Sequence, residues 1–392
     1  MSTTADVVII GAGIVGASAA FYLAQRGVKV IVIEKRFIAA GATGKSTAII
    51  RQHYSNEITA KMAHWGVRVF QNFKSEVGGE CGYVKTGFVI LVDARDRTGL
   101  EENVAMQKRV GIDVLVVNAQ ELRELDPEMQ VASDVVGAYE PDGGYADPAT
   151  AAMNLADAAQ KRGAEILQST TVTGIEMNGG RVSAVQTSAG KIATRAVVNC
   201  ANAWAGQIAR MVGVELPIEA SRHQVATFQR PPDNKSPHLT AGDFVHNIYY
   251  RPAGGLTFVG SIDPNDANQL ADPDQYNESA DFEFIARMSA RICQRYPFMR
   301  QALSKGGWTG IYDVTPDWHP IIDEAPRNSG VFHAAGFSGH GFKLGPAVGV
   351  MIADMVTRAS APTAGMDRRM FRLARFAENE PVRGKYEYSI VG

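Results

Sequence analysis

Three cysteines in 392 residues, Cys81, Cys200 and Cys293, are too few and too far apart for a disulfide framework, and no Cys-x-x-Cys pair suggests a zinc site. A reducing compartment fits that usage, and a cytoplasmic protein is expected. Lone His223, His238 and His246 have no metal-ligand spacing, so no metal is expected either. Charge of one sign is also lacking: 39 basic and 41 acidic side chains leave a net charge of −2, with no basic run that could follow a phosphate backbone. Nucleic acid is thereby excluded as an expected partner. Long apolar runs are missing too. The stretch 7–23 is broken by Gly11, Gly13 and Gly16 and lacks a basic flank, so it reads as neither signal peptide nor membrane span. Nothing else approaches the roughly 18 apolar residues that a span needs. There is no internal repeat, and the one biased tract is the polar loop 264–277.

What is present is a globular α/β composition, 45% hydrophobic and 20% charged, with 39 glycines implying many tight turns. The length allows two domains or one with a large insertion. Residues 6–10 read as a strand, 17–26 as a helix and 29–33 as a second strand. A polar loop at 39–47 precedes a helix over 56–73. Asp147 is a plausible N-cap and Pro148 a first-turn residue for a helix over 149–162. Short strands follow at 165–169, 172–177, 181–187 and 196–200, then a strand-rich block over 216–260, a helix over 281–296, a late strand at 330–335 and a late helix over 346–356. The order predicts a Rossmann-type nucleotide-binding domain interleaved with an α+β substrate domain on a mainly antiparallel sheet. The expected division is 1–80, 144–215 and 325–365 for the first domain, 81–143 and 216–324 for the second, and a tail at 366–392.

Gly11-Ala12-Gly13-Ile14-Val15-Gly16 follows a strand and opens a helix, and Glu34 ends the next strand 18 residues beyond the third glycine. Gly11 permits the turn, Gly13 lets backbone approach a pyrophosphate, Gly16 packs helix on strand, and the helix N-terminus stabilises the phosphate charge. Ile14 and Val15 supply the first-turn amides, with Lys35 next to the acid. Glu34 accepts from ribose hydroxyls and repels the 2′-phosphate of NADP, leaving NAD or FAD.

At 42–51, with Thr43, Ser46, Thr47 and Arg51, and again at Gly336-Phe337-Ser338-Gly339-His340-Gly341-Phe342-Lys343, the chain resembles the FAD-dependent amine oxidoreductases related to glycine oxidase, D-amino acid oxidase and sarcosine oxidase. The Gly-Tyr-Ala-Asp-Pro element at 144–148, the segment 199–205 with Ala201 and Trp204, and Trp308-Thr309-Gly310-Ile311-Tyr312 extend that resemblance over nearly the whole chain. It implies that Val172 meets an adenine through its backbone and that Ser46 and Thr47 lie along the pyrophosphate and ribityl chain. Backbone amides of Gly339, His340, Gly341, Phe342 and Lys343 would then lie at the flavin edge, where reduction brings negative charge. Arg51 and Lys343 match the pair holding the substrate carboxylate in single-subunit sarcosine oxidases. His53, Tyr250 and His340 are candidates for catalysis, and Tyr54 and Arg251 for the pocket wall. On a strand, Tyr250 faces away from Tyr249 and Arg251, so the three cannot all line one pocket. Trp308 is expected in the core.

Departures from the family refine the expectation. Gly310 stands where a cysteine tethers FAD in single-subunit sarcosine oxidases, so non-covalent FAD is expected. Ala146 replaces the histidine that holds FMN in some four-subunit sarcosine oxidases, which argues against a second flavin by that route. Tyr312 replaces a carboxylate-binding arginine of glycine oxidase and D-amino acid oxidase. The lysine credited with oxygen activation is missing at 257–259, which puts fast reaction with oxygen in question. The resemblance implies hydride transfer from the α-carbon of a neutral amine to flavin N5 and hydrolysis of the resulting imine. The preferred substrate is an N-substituted glycine such as sarcosine or iminodiacetate. Alternatives are a D-amino acid or glycine oxidase or dehydrogenase, a flavoprotein subunit passing electrons to partner subunits or another acceptor, and a NAD-dependent dehydrogenase.

Overall fold

The computed structural model describes residues 4–234, 237–266 and 269–384; residues 267–268 of the polar loop and 385–392 of the tail lie outside the described residues. Val7–Ile10, Val30–Ile33, Ala196–Asn199 and Val331–Ala335 are buried along their whole length. Such continuous Val/Ile runs suit parallel strands covered on both faces. They form a six-stranded sheet in the order Ile321–Glu324, Val331–Ala335, Ala196–Asn199, Val7–Ile10, Val30–Ile33, Glu165–Leu167. All neighbours are parallel except the first pair. That antiparallel pair corrects the boundary expected at 324/325. Ile321–Glu324 is the first arm of a hairpin closed by the Ala325 amide on the Val331 carbonyl at 3.0 Å, so it stays with the six-stranded sheet.

The Ile14–Gln25 helix begins at the glycine turn and is buried nearly all round, because the Gly341–Val356 and Pro148–Gln160 helices pack against it. Close approach depends on glycine: a β-carbon at position 349 would lie 2.6 Å from Ser18. Asp147 caps the Pro148–Gln160 helix, its carboxylate accepting from the Thr150 amide at 2.7 Å. The late helix starts five residues before the expected Pro346, at Gly341, and keeps Pro346 inside it. Proline there removes only one backbone bond, and the burial of nearly every residue from Phe342 to Ala353 sustains the helix.

The second sheet has eight strands in the order Leu303–Val314, Glu219–Gln229, Leu256–Ser261, Ile248–Ala253, Thr240–Asp243, Phe88–Val92, Val136–Glu140, Leu115–Val117, antiparallel apart from one parallel pair. The Phe282–Arg295 helix covers one face, where Tyr250, Met288, Ile292 and Tyr296 form a core around the buried Arg295–Asp243 pair at 2.8 Å. The other face meets the 39–47 loop: the Trp308 indole donates to the Lys45 carbonyl at 2.8 Å and the Arg251 Nε to the Thr47 carbonyl. The tail is pinned by the buried Arg375 on Asp317 at 2.8 Å. No described helix is long and apolar enough to cross a membrane.

Candidate active site

A cavity of about 680 Å³ runs from the glycine turn to the segment around Tyr312 and Gly339. At its outer end Gly11 has φ +102°, a left-handed conformation, and a β-carbon there would lie 2.5 Å from the Cys200 carbonyl oxygen. Gly13 lines the cavity, and a β-carbon there would lie 3.0 Å from Thr43 Oγ1, which accepts from the Ile14 amide at 3.0 Å. Gly16 does not line the cavity; it lies against the Gly11 carbonyl, the packing role expected of the third glycine. Val15, in the first turn of the helix, also lines the cavity. The Glu34 carboxylate is held in the wall by the amides of Ala12 and Arg36, each at 2.9 Å. Val172 lies beside it, since the Thr170 amide donates to the Glu34 carbonyl at 2.9 Å. Lys35 sits 3.6 Å above the Trp204 ring, and Ala201 adjoins the glycine turn.

Ser46 lines the middle of the cavity, whereas Thr47 does not; its carbonyl is taken by Arg251. At the inner end Gly339 has φ +86°, and a β-carbon would strike the Tyr312 ring. Gly341 and Phe342 open the late helix on the cavity wall.

Behind this wall the structure gathers the other expected residues. The Arg51 guanidinium lies 4.3 Å from the Tyr54 ring centre, 3.5 Å from His340 Nδ1, and donates to the His53 carbonyl. The Tyr54 hydroxyl is 3.0 Å from the same His340 nitrogen. Burial, and secondarily Arg51, brings the His53 imidazole down to about 3, while burial pushes the Tyr54 phenol up to about 12. Lys343 is buried one helical position beyond Phe342, and burial together with Arg51 lowers its ammonium well below the usual range. No ion pair to Lys343 occurs among the described residues. Arg251 lies over the rings of Tyr145 and Phe258 at 4.2 and 4.7 Å, and burial lowers it to about 10.

Tyr250 is not part of this assembly. It pairs in register with Val259 on the far face of its strand and packs between His238 and Tyr296, so its expected catalytic place is corrected to the core. Its neighbour Tyr249 takes the site-facing side and shares a hydrogen bond with Tyr312, whose ring lines the cavity and stacks on His223 at 3.7 Å. Burial raises both phenols. Asp313 also lines the cavity and accepts from the Gly336 amide at 2.6 Å, pinning the 336–341 turn; burial raises its carboxyl to about 6. Alternation along the Tyr249-Tyr250-Arg251 strand could have favoured Tyr249. Nothing in the sequence separates Asp313 from an ordinary strand residue.

The family described as FAD dependent oxidoreductase matches residues 6–355. The chain belongs to that family. FAD is its cofactor, and the cavity fits it: a glycine cradle without side chains, an acid at the second strand end, a long adjoining channel and a helix start at the inner end. This FAD-dependent oxidoreductase is 28% identical over 386 residues to sarcosine dehydrogenase of Homo sapiens, covering 95% of the chain but only 42% of that protein. The chain thus spans about two fifths of that relative. It is 26% identical over 382 residues to sarcosine oxidase subunit beta of Rhodobacter capsulatus, covering 96% and 89% of the two chains. Among solved structures, L-proline dehydrogenase from P. horikoshii superposes with a TM-score of 0.88 at 29% identity, covering 97% of this chain and 100% of the other.

Proposed function

We propose that this enzyme oxidises the C–N bond of a small secondary α-amino acid, an N-substituted glycine by preference, with Arg51 and Lys343 receiving the substrate carboxylate. The observation that carries this reading is Lys343: buried beside a second cation, with no ion pair among the described residues, its charged form is disfavoured until an anion joins it. A carboxylate of the substrate supplies it, and charge-assisted hydrogen bonds then orient the α-carbon for reaction. Bound FAD supplies the two-electron acceptor. The phenols of Tyr249 and Tyr312, kept protonated by burial, are donors beside the reacting carbon and help to exclude water. His53, neutral at any working pH, and His340, in contact with both Arg51 and Tyr54, act on the substrate through Arg51. Water then hydrolyses the imine product. The likeness to sarcosine dehydrogenase, sarcosine oxidase subunit beta and L-proline dehydrogenase supports a secondary amine, the class those names share. FAD is held non-covalently, with Gly310 where a tethering cysteine would stand.

A second reading concerns the acceptor. The likeness to sarcosine dehydrogenase and L-proline dehydrogenase favours an acceptor other than oxygen, and the likeness to sarcosine oxidase subunit beta favours partner subunits.

Arg51→Met and Lys343→Met test the anchor. Each lost charge-assisted bond is worth about 1.5–3 kcal/mol, so KM for a carboxylate substrate should rise roughly 10- to 150-fold. KM for the corresponding amine without the carboxylate should hardly move. Unchanged KM for the carboxylate substrate in both variants would overturn the reading.

A further inference from the structure

We propose that the turn at 272–278, carried by the antiparallel sheet, is part of the FAD site: a strap whose carboxylates pair with Lys35 and Lys45 and keep the dinucleotide from leaving. The segment enters from the strand Leu256–Ser261 and returns to the helix Phe282–Arg295, yet Pro273, Asp274, Tyr276 and Glu278 line the cavity opposite the glycine turn. Its base is fixed. The Ala271 amide donates to the Ala220 carbonyl at 3.0 Å, the Thr309 amide to the Glu278 carbonyl at 2.9 Å, and Arg222 holds Asp281 with two bonds of 2.7 and 2.9 Å while donating to the Asn277 carbonyl at 3.0 Å. Its tip is pre-shaped by Asp272-Pro273-Asp274-Gln275, a turn sequence with Asp first and Pro second. Asp272 accepts from the Asp274 amide at 2.9 Å and its carbonyl from the Gln275 amide at 3.1 Å.

From that tip Asp274 reaches the other sheet. It pairs with Lys35 at 2.8 Å and accepts from the Trp204 indole at 3.1 Å, while Lys35 lies over the same indole ring. Farther along, Glu278 pairs with Lys45 at 2.8 Å, and Lys45 donates to the Tyr276 hydroxyl at 2.5 Å. Two latches therefore cross the cavity, joining a rigid turn on one side to the end of the second Rossmann strand and the 39–47 loop on the other. A dinucleotide held in this cavity would lie beneath them, and its departure would require that they part. Both pairs are partly exposed, with Asp274 and Glu278 side chains 55% and 62% accessible, so salt weakens them.

The inference rests on FAD as the cofactor and on nothing about the substrate. The test is the rate at which flavin fluorescence appears when the holoenzyme is diluted, for the native protein, Asp274→Asn, Glu278→Gln and the double variant, at low and high sodium chloride. Release should accelerate with salt in the native protein. At low salt it should be roughly two- to fivefold faster in each single variant, up to about 25-fold faster in the double variant, and the double variant should lose most of the salt dependence. Glu176→Gln, which breaks an exposed pair with Lys191 on the 172–193 meander, should leave release unchanged. Glu278→Gln gives an independent reading if Asp274→Asn disturbs folding. An unchanged rate and salt slope in the double variant overturns the strap, as does slower release, which would mean that Lys35 and Lys45 bind the phosphates better when freed.

Discussion

Burial and the Arg51 guanidinium both disfavour the charged form of Lys343, and that single residue ties the local sequence to the proposed chemistry. It was singled out through the resemblance carried by the 336–343 segment, whose Gly336 and Gly339 have positive φ and leave no room for a β-carbon against Thr315 and the Tyr312 ring. Tyr250 was not legible in the same way. Three consecutive polar-tipped residues, Tyr249-Tyr250-Arg251, sit on one strand, and alternation says that the middle one differs from its neighbours without saying which face meets the cofactor. Packing of the Phe282–Arg295 helix decides it by taking Tyr250 into the core. Tyr250→Phe should accordingly leave kcat and KM within about twofold of native. A tenfold fall in kcat/KM with the flavin spectrum intact would return Tyr250 to the site.

At the scale of elements, the strand, glycine turn, helix, strand and acid at 7–34 could be read directly, because each part of that unit has its own local signal. The start of the late helix could not, since a proline marks a first turn more often than a sixth residue, and tertiary burial overrode it. Helix crossings are equally invisible in a single chain of letters. Gly66, inside the helix Glu57–Gln71, looks like a weak helix position, yet a β-carbon there would collide with the Lys343 carbonyl. It sets how closely that helix approaches the element bearing Lys343. Gly66→Ala should lower stability in urea unfolding by about 1–3 kcal/mol through overpacking, although alanine is the better helix former. A variant as stable as the native protein would mean that the crossing yields without strain.

For the whole molecule, the six-stranded sheet draws strands from residues 7 to 335 and the eight-stranded sheet from residues 88 to 314, so burial in either depends on the other. Acid should reveal that shared core. His53, His223 and His238 are lowered by burial to about 3, 3 and 4, so near pH 5 the unfolded chain takes up about three protons that the folded chain refuses. Glu140 and Asp313, raised by burial to about 7 and 6, act oppositely, the folded chain holding about two protons that the unfolded chain releases. The balance from these five groups is about one proton, so stability should fall by roughly 1.4 kcal/mol per pH unit on acidification around pH 5. Greater stability at pH 5 than at pH 6 in denaturant titrations would contradict that balance. The central claim, a flavoenzyme that oxidises a secondary α-amino acid, is tested most directly by the absorption spectrum of the purified protein during anaerobic addition of sarcosine, iminodiacetate, proline, glycine and D-alanine in turn. The account predicts flavin bands that bleach with one of the first three, and bands that persist with all three, or bleach only with glycine or D-alanine, would contradict it.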